Sequence, residues 1–278
     1  MAEAFAYYGL RYDPFEKENA NKGNAFHSRD FREAYARLDS LSKSRGLGVF
    51  TAGPGNGKTM AIRCFMEDLN PNLFMTGYIA LSTVTVGEFY RQWCDLLGVE
   101  KKGGKPGMLR NMKEQMRNMY KAKHQPLFLV LDEAQYLSTA ILNDLKIILN
   151  FDCDSLNCVC LVLCGEPHFN NTLYKPVHEA LLQRVTVHYN FHGLQDEEIA
   201  DYVRHKISMA GGATSILADS ALNAIHGHSH GTPRVIDNLM KEALRIGAQN
   251  DKQVIDSEVI LAAVYSPSSS LNSSRAEP

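Results

Sequence analysis

The stretch that decides the fold is VFTAGPGNGKTM, Val49 to Met60. A short strand-like run enters Gly53, Gly55 and Gly57, reaches Lys58 and Thr59, and continues into the helical pattern KTMAIRCFMEDLN. A loop that wraps phosphates needs this order. Backbone N–H groups must converge on the anion, and glycines must supply dihedrals that other residues avoid. A lysine must reach the β/γ-phosphates and a hydroxyl must meet Mg²⁺. Gly53, Pro54, Gly55, Asn56, Gly57, Lys58, Thr59 and Met60 are therefore the expected nucleotide contacts, with Thr59 also on the metal. The pattern G-x-x-x-x-G-K-[ST] puts its first glycine at position 52, where this chain has Ala52. That position is where the strand enters the loop. A methyl group is the smallest change there, and Gly53 follows at once.

The second element is LFLVLDEAQ, an apolar run that ends in Asp132 and Glu133. In a nucleotide site Asp132 holds Mg²⁺, mostly through water, and Glu133 orients and polarises the attacking water. A glycine turn or an acidic strand end means little alone. The two together, each at a strand end of one parallel sheet, imply an NTP site.

Strand and helix patterns alternate to about residue 192, which predicts βαβ units with a parallel sheet covered on both faces. From 195 onward only helical patterns follow. The expected organisation is an irregular N-terminal arm over 1–27, docking through Tyr7, Tyr8, Tyr12 and Phe15. An α/β nucleotide-binding domain over 28–192 and a small all-helical lid over 193–264 follow, with a Ser-rich disordered tail over 265–278. KKGGKPG, residues 101–107, reads as a loop.

The net charge of -2 excludes a global polyanion-binding surface. Apolar runs are too short to cross a bilayer, and the N-terminus has no signal-peptide pattern. The expectation is a cytoplasmic protein without a membrane partner. Cys153, Cys158, Cys160 and Cys164 lack a C-x-x-C pair and read as buried core thiols rather than a zinc site. His226, His228 and His230 read as a polar loop.

With both motifs and a helical lid, the chain resembles the AAA+ branch of P-loop ATPases, from about Tyr7 to Val264. The resemblance implies a P-loop NTPase fold, ATP and Mg²⁺ as cofactors, ATP hydrolysis, and a homo-oligomer in the ATP state. GTPRVIDNL resembles the sensor-2 motif and makes Arg234 the residue facing the γ-phosphate. LVLCGEPHF resembles the sensor-1 strand and turn, with Glu166 as the sensor and Cys164 as runner-up. EALLQRV resembles the segment carrying an arginine finger, so Arg184 would act on a neighbouring subunit.

More narrowly, YYGLRYDPF, LDEAQ and GEPHF resemble the ExeA-type ATPases. The chain ends after the lid, which favours likeness to the transposon-encoded relatives, similar to Mu-phage and insertion-sequence target-selection ATPases. Those relatives imply ATP-dependent, sequence-tolerant binding of double-stranded DNA and a transposase partner. The alternative is an ATPase assisting a secretion or envelope assembly.

Residues 101–124 hold eight Lys/Arg against one acid, Glu114. Lys101, Lys102, Lys105, Arg110, Lys113, Arg117 and Lys121 are the candidate DNA surface. Met108, Met112, Met116 and Met119 form a separate stripe that reads as core packing.

Overall fold

A computed structural model describes residues 2–266 of the chain. In chain order the helices and strands begin with α1 (Ala2–Tyr7), α2 (Arg29–Ser44), β1 (Gly46–Ala52), α3 (Lys58–Asp68) and β2 (Met75–Ala80). They continue with α4 (Val86–Leu97), α5 (Gly104–Lys123), β3 (Leu127–Asp132), α6 (Thr139–Ile148), β4 (Val159–Gly165), α7 (His168–Leu173), α8 (Glu179–Leu182) and β5 (Val185–Phe191). Four helices complete the chain: α9 (Asp196–Met209), α10 (Asp219–Ser229), α11 (Pro233–Gln249) and α12 (Ser257–Tyr265).

The described chain forms two compact units. One comprises residues 34–54 and 61–191, and the other residues 2–33, 55–60 and 192–266. The division cuts across the sequence. Chain from the N-terminus and part of the glycine-rich loop group with the C-terminal helices.

The first unit is a five-stranded parallel sheet in the order β2-β3-β4-β1-β5. β3 and β4 are buried along their whole length, as their unbroken apolar runs require when helices cover both faces. β2, at one edge, alternates buried and exposed positions. Register brings Ala80 level with Asp132, and Leu131 level with Leu163. It also brings Thr51 level with Gly165. The carboxyl ends of β1, β3 and β4 therefore share one edge of the sheet.

α4 begins in a capping box between Thr85 and Glu88 and ends on Gly98 in the left-handed region. Phe89, Tyr90 and Trp93 recur at helical spacing and are fully buried. The methionine stripe of α5 is buried as its period implies. The loop expected over 101–107 is shorter than that. Gly103 and Gly104 turn with φ of 79° and 61°, and α5 starts at Gly104. Pro106 is tolerated because a helix's first turn has no intrahelical use for its N–H.

The second unit packs α9 to α12 around Ile199, Val203, Ile225, Leu239, Met240, Leu244 and Ile260. The N-terminal segment belongs to this core and is less irregular than expected. α1 is helical, Tyr8 and Phe15 are buried, and Tyr7 packs edge-on to Tyr8 with ring centroids 5.0 Å apart. The Tyr8 hydroxyl donates to the Lys252 carbonyl at 2.8 Å, and Arg11 N–H donates to the Ala210 carbonyl at 2.9 Å. Lys241 pairs with Glu16, and with Asp13 at 3.7 Å. Burying a phenylalanine such as Phe15 contributes about 2 kcal/mol, so this clasp is a sizeable part of a small core.

Two further expectations change. The His226–Gly231 stretch is not a loop throughout, because α10 runs to Ser229 and carries His226 and His228. His226 pairs with Asp196 at 2.7 Å, and His230 stops the helix with φ of 46°. Cys158, Cys160 and Cys164 are buried, but Cys153 is exposed. Burial pushes the Cys158 thiol up to about 11 and the Cys160 thiol up to about 12. No cluster of three metal-ligating side chains occurs among the described residues. Tyr265 closes α12, while 267–278 of the expected tail lie outside the described residues.

Candidate nucleotide site

The glycine-rich loop leaves the carboxyl end of β1. Ala52 is the last residue of that strand, is buried, and pairs with Phe191 of β5. It is absent from the positive-φ residues among those described. The conformational freedom of glycine is therefore not needed at position 52. It is needed later, at Gly55 and Gly57, where φ is 87° and 86°.

Within the second unit, Gly55 lies against the start of α11. A Cβ at Gly55 would stand 2.6 Å from the Cβ of Arg234, and the Arg234 N–H donates to the Gly55 carbonyl at 3.3 Å. Arg234 is thus placed beside the loop, with its side chain exposed. A Cβ at Gly57 would meet nothing within 4 Å, so the loop is open in front of that residue. α3 begins at Lys58, and Thr59 in its first turn is exposed. A helix N-terminus, glycines with positive φ, a lysine and an outward-facing hydroxyl are the donor set that a polyphosphate with Mg²⁺ requires.

Asp30 supports this unit from a distance in sequence. Its buried carboxylate accepts the N–H groups of His192 at 2.7 Å and Gly193 at 2.8 Å. Ser28 caps α2, accepting the Phe31 N–H at 3.1 Å.

In the α/β unit, Asp132 ends β3. Its Oδ2 accepts from the Tyr78 hydroxyl, and its Oδ1 accepts the Glu133 N–H at 2.9 Å. Tyr78 is the residue that sequence reading misses. It sits on the exposed face of β2, two residues before Ala80, which is level with Asp132. Burial, and then the bond to Asp132, push its phenol well above the ordinary tyrosine range. Glu133 follows in the left-handed region, with φ of 58° and ψ of 39°.

Glu166 follows β4. Its carboxylate faces His168, 3.3 Å away, while its N–H donates to the Gln135 side chain at 3.2 Å. Cys164 is buried inside β4. A polar cluster ties the end of β1 to its neighbours: the Thr51 hydroxyl donates to Asn190, and the Asn170 amide donates to Thr51 at 3.2 Å and to Asn190 at 3.1 Å.

Arg184 stands elsewhere. It precedes β5, where Val185 is level with Leu47 near the start of β1. Since β5 is parallel to β1, Arg184 is about one strand length, roughly 20 Å, from the carboxyl edge of the sheet. It lines a cavity of about 220 Å³ with Arg45, Gln183 and Asn157.

The basic face of α5 is largely engaged within its own unit. Lys101 pairs with Asp95 at 2.5 Å, Lys102 with Glu100 at 3.1 Å and Lys105 with Asp144 at 2.7 Å. Arg117 and Lys121 both pair with Asp152, at 2.8 and 3.0 Å. Lys113 donates to the carbonyls of Ile147 and Asn150 at the end of α6, and burial holds its ammonium below the usual lysine range. Arg110 is exposed and has no charged partner among the described residues.

Residues 41–173 match a family model described as an AAA domain. General secretion pathway protein A of Aeromonas hydrophila is 28% identical over 261 residues, which are 92% of this chain and 47% of that protein. The chain thus spans about half the length of the curated relative it matches. Among solved structures, the Aeropyrum pernix ORC2 protein in its ADPNP–ADP complexes aligns with a TM-score of 0.65 at 13% identity, over 97% of this chain and 76% of that one. The Aeropyrum pernix ORC1 protein in complex with DNA aligns with a TM-score of 0.61 at 14% identity, over 90% and 67%. The fold is that of an AAA+ P-loop NTPase, and the AAA-domain match is confined to residues 41–173.

Proposed function

We propose that this chain binds ATP with Mg²⁺ and hydrolyses it, and that its ATP state is an assembly of several copies. The observation that carries the reading is the pairing of two strand ends in one parallel sheet. β1 runs into the glycine-rich loop and Lys58, and β3, on the far side of β4, ends in Asp132 and Glu133. Lys58 and the loop hold the phosphates, Thr59 and Asp132 hold the metal, and Glu133 activates the attacking water. Mg²⁺, when bound, neutralises charge on the phosphates. Tyr78 fixes one Asp132 oxygen and so orients the other.

Arg184, at the opposite sheet edge, cannot reach a nucleotide held at the carboxyl edge of its own sheet. Its use as an arginine finger requires a second copy. Arg234 beside Gly55 suits a residue that reads the phosphate state and passes it to α11. The test is phosphate release together with nucleotide binding. Lys58→Ala should lose binding. Glu133→Gln should keep binding and lose turnover by roughly 10²- to 10⁴-fold. Unchanged turnover in Glu133→Gln would remove Glu133 from this role.

For the work that hydrolysis drives, the secretion-type reading has the stronger support. The curated relative aligned over 92% of this chain is a secretion-pathway protein. The client would then be a component of a secretion or envelope assembly. The second reading is a DNA-bound accessory of a transposase, favoured by the basic segment of α5 and by a fold neighbour solved with DNA. Fluorescence anisotropy of a random duplex with ATP-loaded protein separates them, because the DNA reading requires ATP-dependent, salt-sensitive binding.

A further inference from the structure

One side chain at the carboxyl edge has no role in the chemistry above. Gln135 lies two residues after Glu133, in the short 3-10 turn Ala134–Tyr136. Its Nε2 donates to Glu133 Oε2 at 2.6 Å, and its Oε1 accepts the Glu166 N–H at 3.2 Å. The second bond fixes the orientation of the amide. Its carbonyl is committed to a backbone donor, so its NH₂ must face the carboxylate. Gly165 lies alongside, where a Cβ would stand 3.1 Å from Gln135 Oε1. Glu133, in the left-handed region, has a backbone that glutamate rarely adopts, and such conformations persist only where the surroundings fix them.

We propose that Gln135 is the positioning residue for Glu133, an amide bridge through which the turn after β4 governs how the water-activating carboxylate is aimed. The inference rests on the ATPase reading. With Oε2 of Glu133 held, Oε1 is left to accept the hydrogen bond from water. A shift of the backbone at Glu166 pulls on the amide and releases or re-aims Glu133. The side chains of that turn, Glu166 and His168, are 43% and 59% exposed, so an outside ligand can grip it. In this way Glu166 acts through its backbone rather than through its carboxylate.

Two variants separate the halves of the bridge. Gln135→Glu is isosteric and can still accept the Glu166 N–H, but it cannot donate to Glu133 and sets a like charge beside it. Gln135→Met keeps the length and loses both bonds. ATP turnover is measured with nucleotide affinity alongside, and wild type and Glu133→Gln are the references. Both variants should keep nucleotide affinity within about twofold and lose at least about tenfold in kcat, since a mis-aimed base forfeits part of its contribution. Loss of kcat at unchanged nucleotide affinity marks a positioning role, since a general loss of structure would lower both. If Gln135→Met does not fold, the isosteric variant carries the test. Wild-type kcat in the folded variants, with Glu133→Gln inactive, overturns the proposal alone. Wild-type protein that binds ATP yet releases no phosphate overturns the ATPase reading and this proposal with it.

Discussion

The carboxyl edge of the sheet and the basic face of α5 both gather ionisable groups, and they hold them in opposite ways. At the edge, two carboxylates are aimed by neutral donors. Tyr78 takes one oxygen of Asp132, and Gln135 takes one oxygen of Glu133. Neutral donors fix direction without cancelling charge. Along α5 and the two lysines before it, six of the seven candidate lysines and arginines meet carboxylates or carbonyls of their own unit. Charge there is balanced locally, so a count of basic residues overstates the field that a polyanion would meet. Charge in a sequence becomes function only where its partners leave it able to act on something else.

The sharpest way to break this contrast is at Arg184, which belongs to neither region. Arg184→Ala should bind ATP and lose hydrolysis by roughly 10³-fold, the low end for an arginine finger. Mixing it with Lys58→Ala, whose own loop is dead but whose finger is intact, should restore part of the activity. Inactivity at every mixing ratio, with co-assembly shown by sedimentation, would end the trans assignment.

A smaller effect is expected from freeing the α5 charges. Asp152→Asn releases Arg117 and Lys121. If this face meets DNA at all, log affinity against log salt should steepen by about 0.9 for each further phosphate neutralised. Removing Arg110, Lys113 and Arg117 should flatten the slope. A slope that neither change moves would show that DNA does not bind at this face.

The lysines of this segment should also differ in their contribution to stability. Lys113→Ala strips donors from two carbonyls at the end of α6 and should cost about 1 kcal/mol in urea unfolding. Lys102→Ala, an exposed pair with Glu100, should change nothing measurable.

The smallest expected effect concerns a polar group with neither kind of partner. His178 is fully buried, and neither ring nitrogen has a hydrogen-bond partner among the described residues. Burial first, and then Lys146 and Lys175, hold its pKa below the ordinary 6.5. The unfolded chain takes up the proton below about 6.5 while the folded chain resists it. Stability from this group is therefore complete above that value and is lost as pH falls through the folded pKa. Thermal melts should fall on acidification, and His178→Leu should flatten that dependence. His188, also lowered by burial, keeps part of it.

Much of the fold is legible in the chain because its signals are local. An unbroken apolar run such as LFLVL, only five residues long and bounded by Pro126 and Asp132, fits a strand buried on both faces, and Met108, Met112, Met116 and Met119 recur at the period of a helix. The glycine-rich loop and the Asp132–Glu133 strand end are legible for the same reason, since phosphate and metal chemistry fix residue types at short spacing. The histidine stretch misleads because α10 tolerates Gly227 and ends only where His230 turns left-handed. Residues 101–107 mislead because proline in a first helical turn looks like a loop residue.

What the sequence determined by itself is most of the elements, the parallel sheet and the candidate residues for nucleotide chemistry. Periodicity and motif spacing act over a few residues and survive without knowledge of neighbours. The tertiary structure alone decided which charges are spent and which are aimed. Tyr78 meets Asp132 across 54 residues, Lys113 reaches Asn150 across 37, and Glu166 N–H meets Gln135 across 31. These bonds depend on strand order and register, which set distances between residues far apart in the chain. No local pattern encodes them.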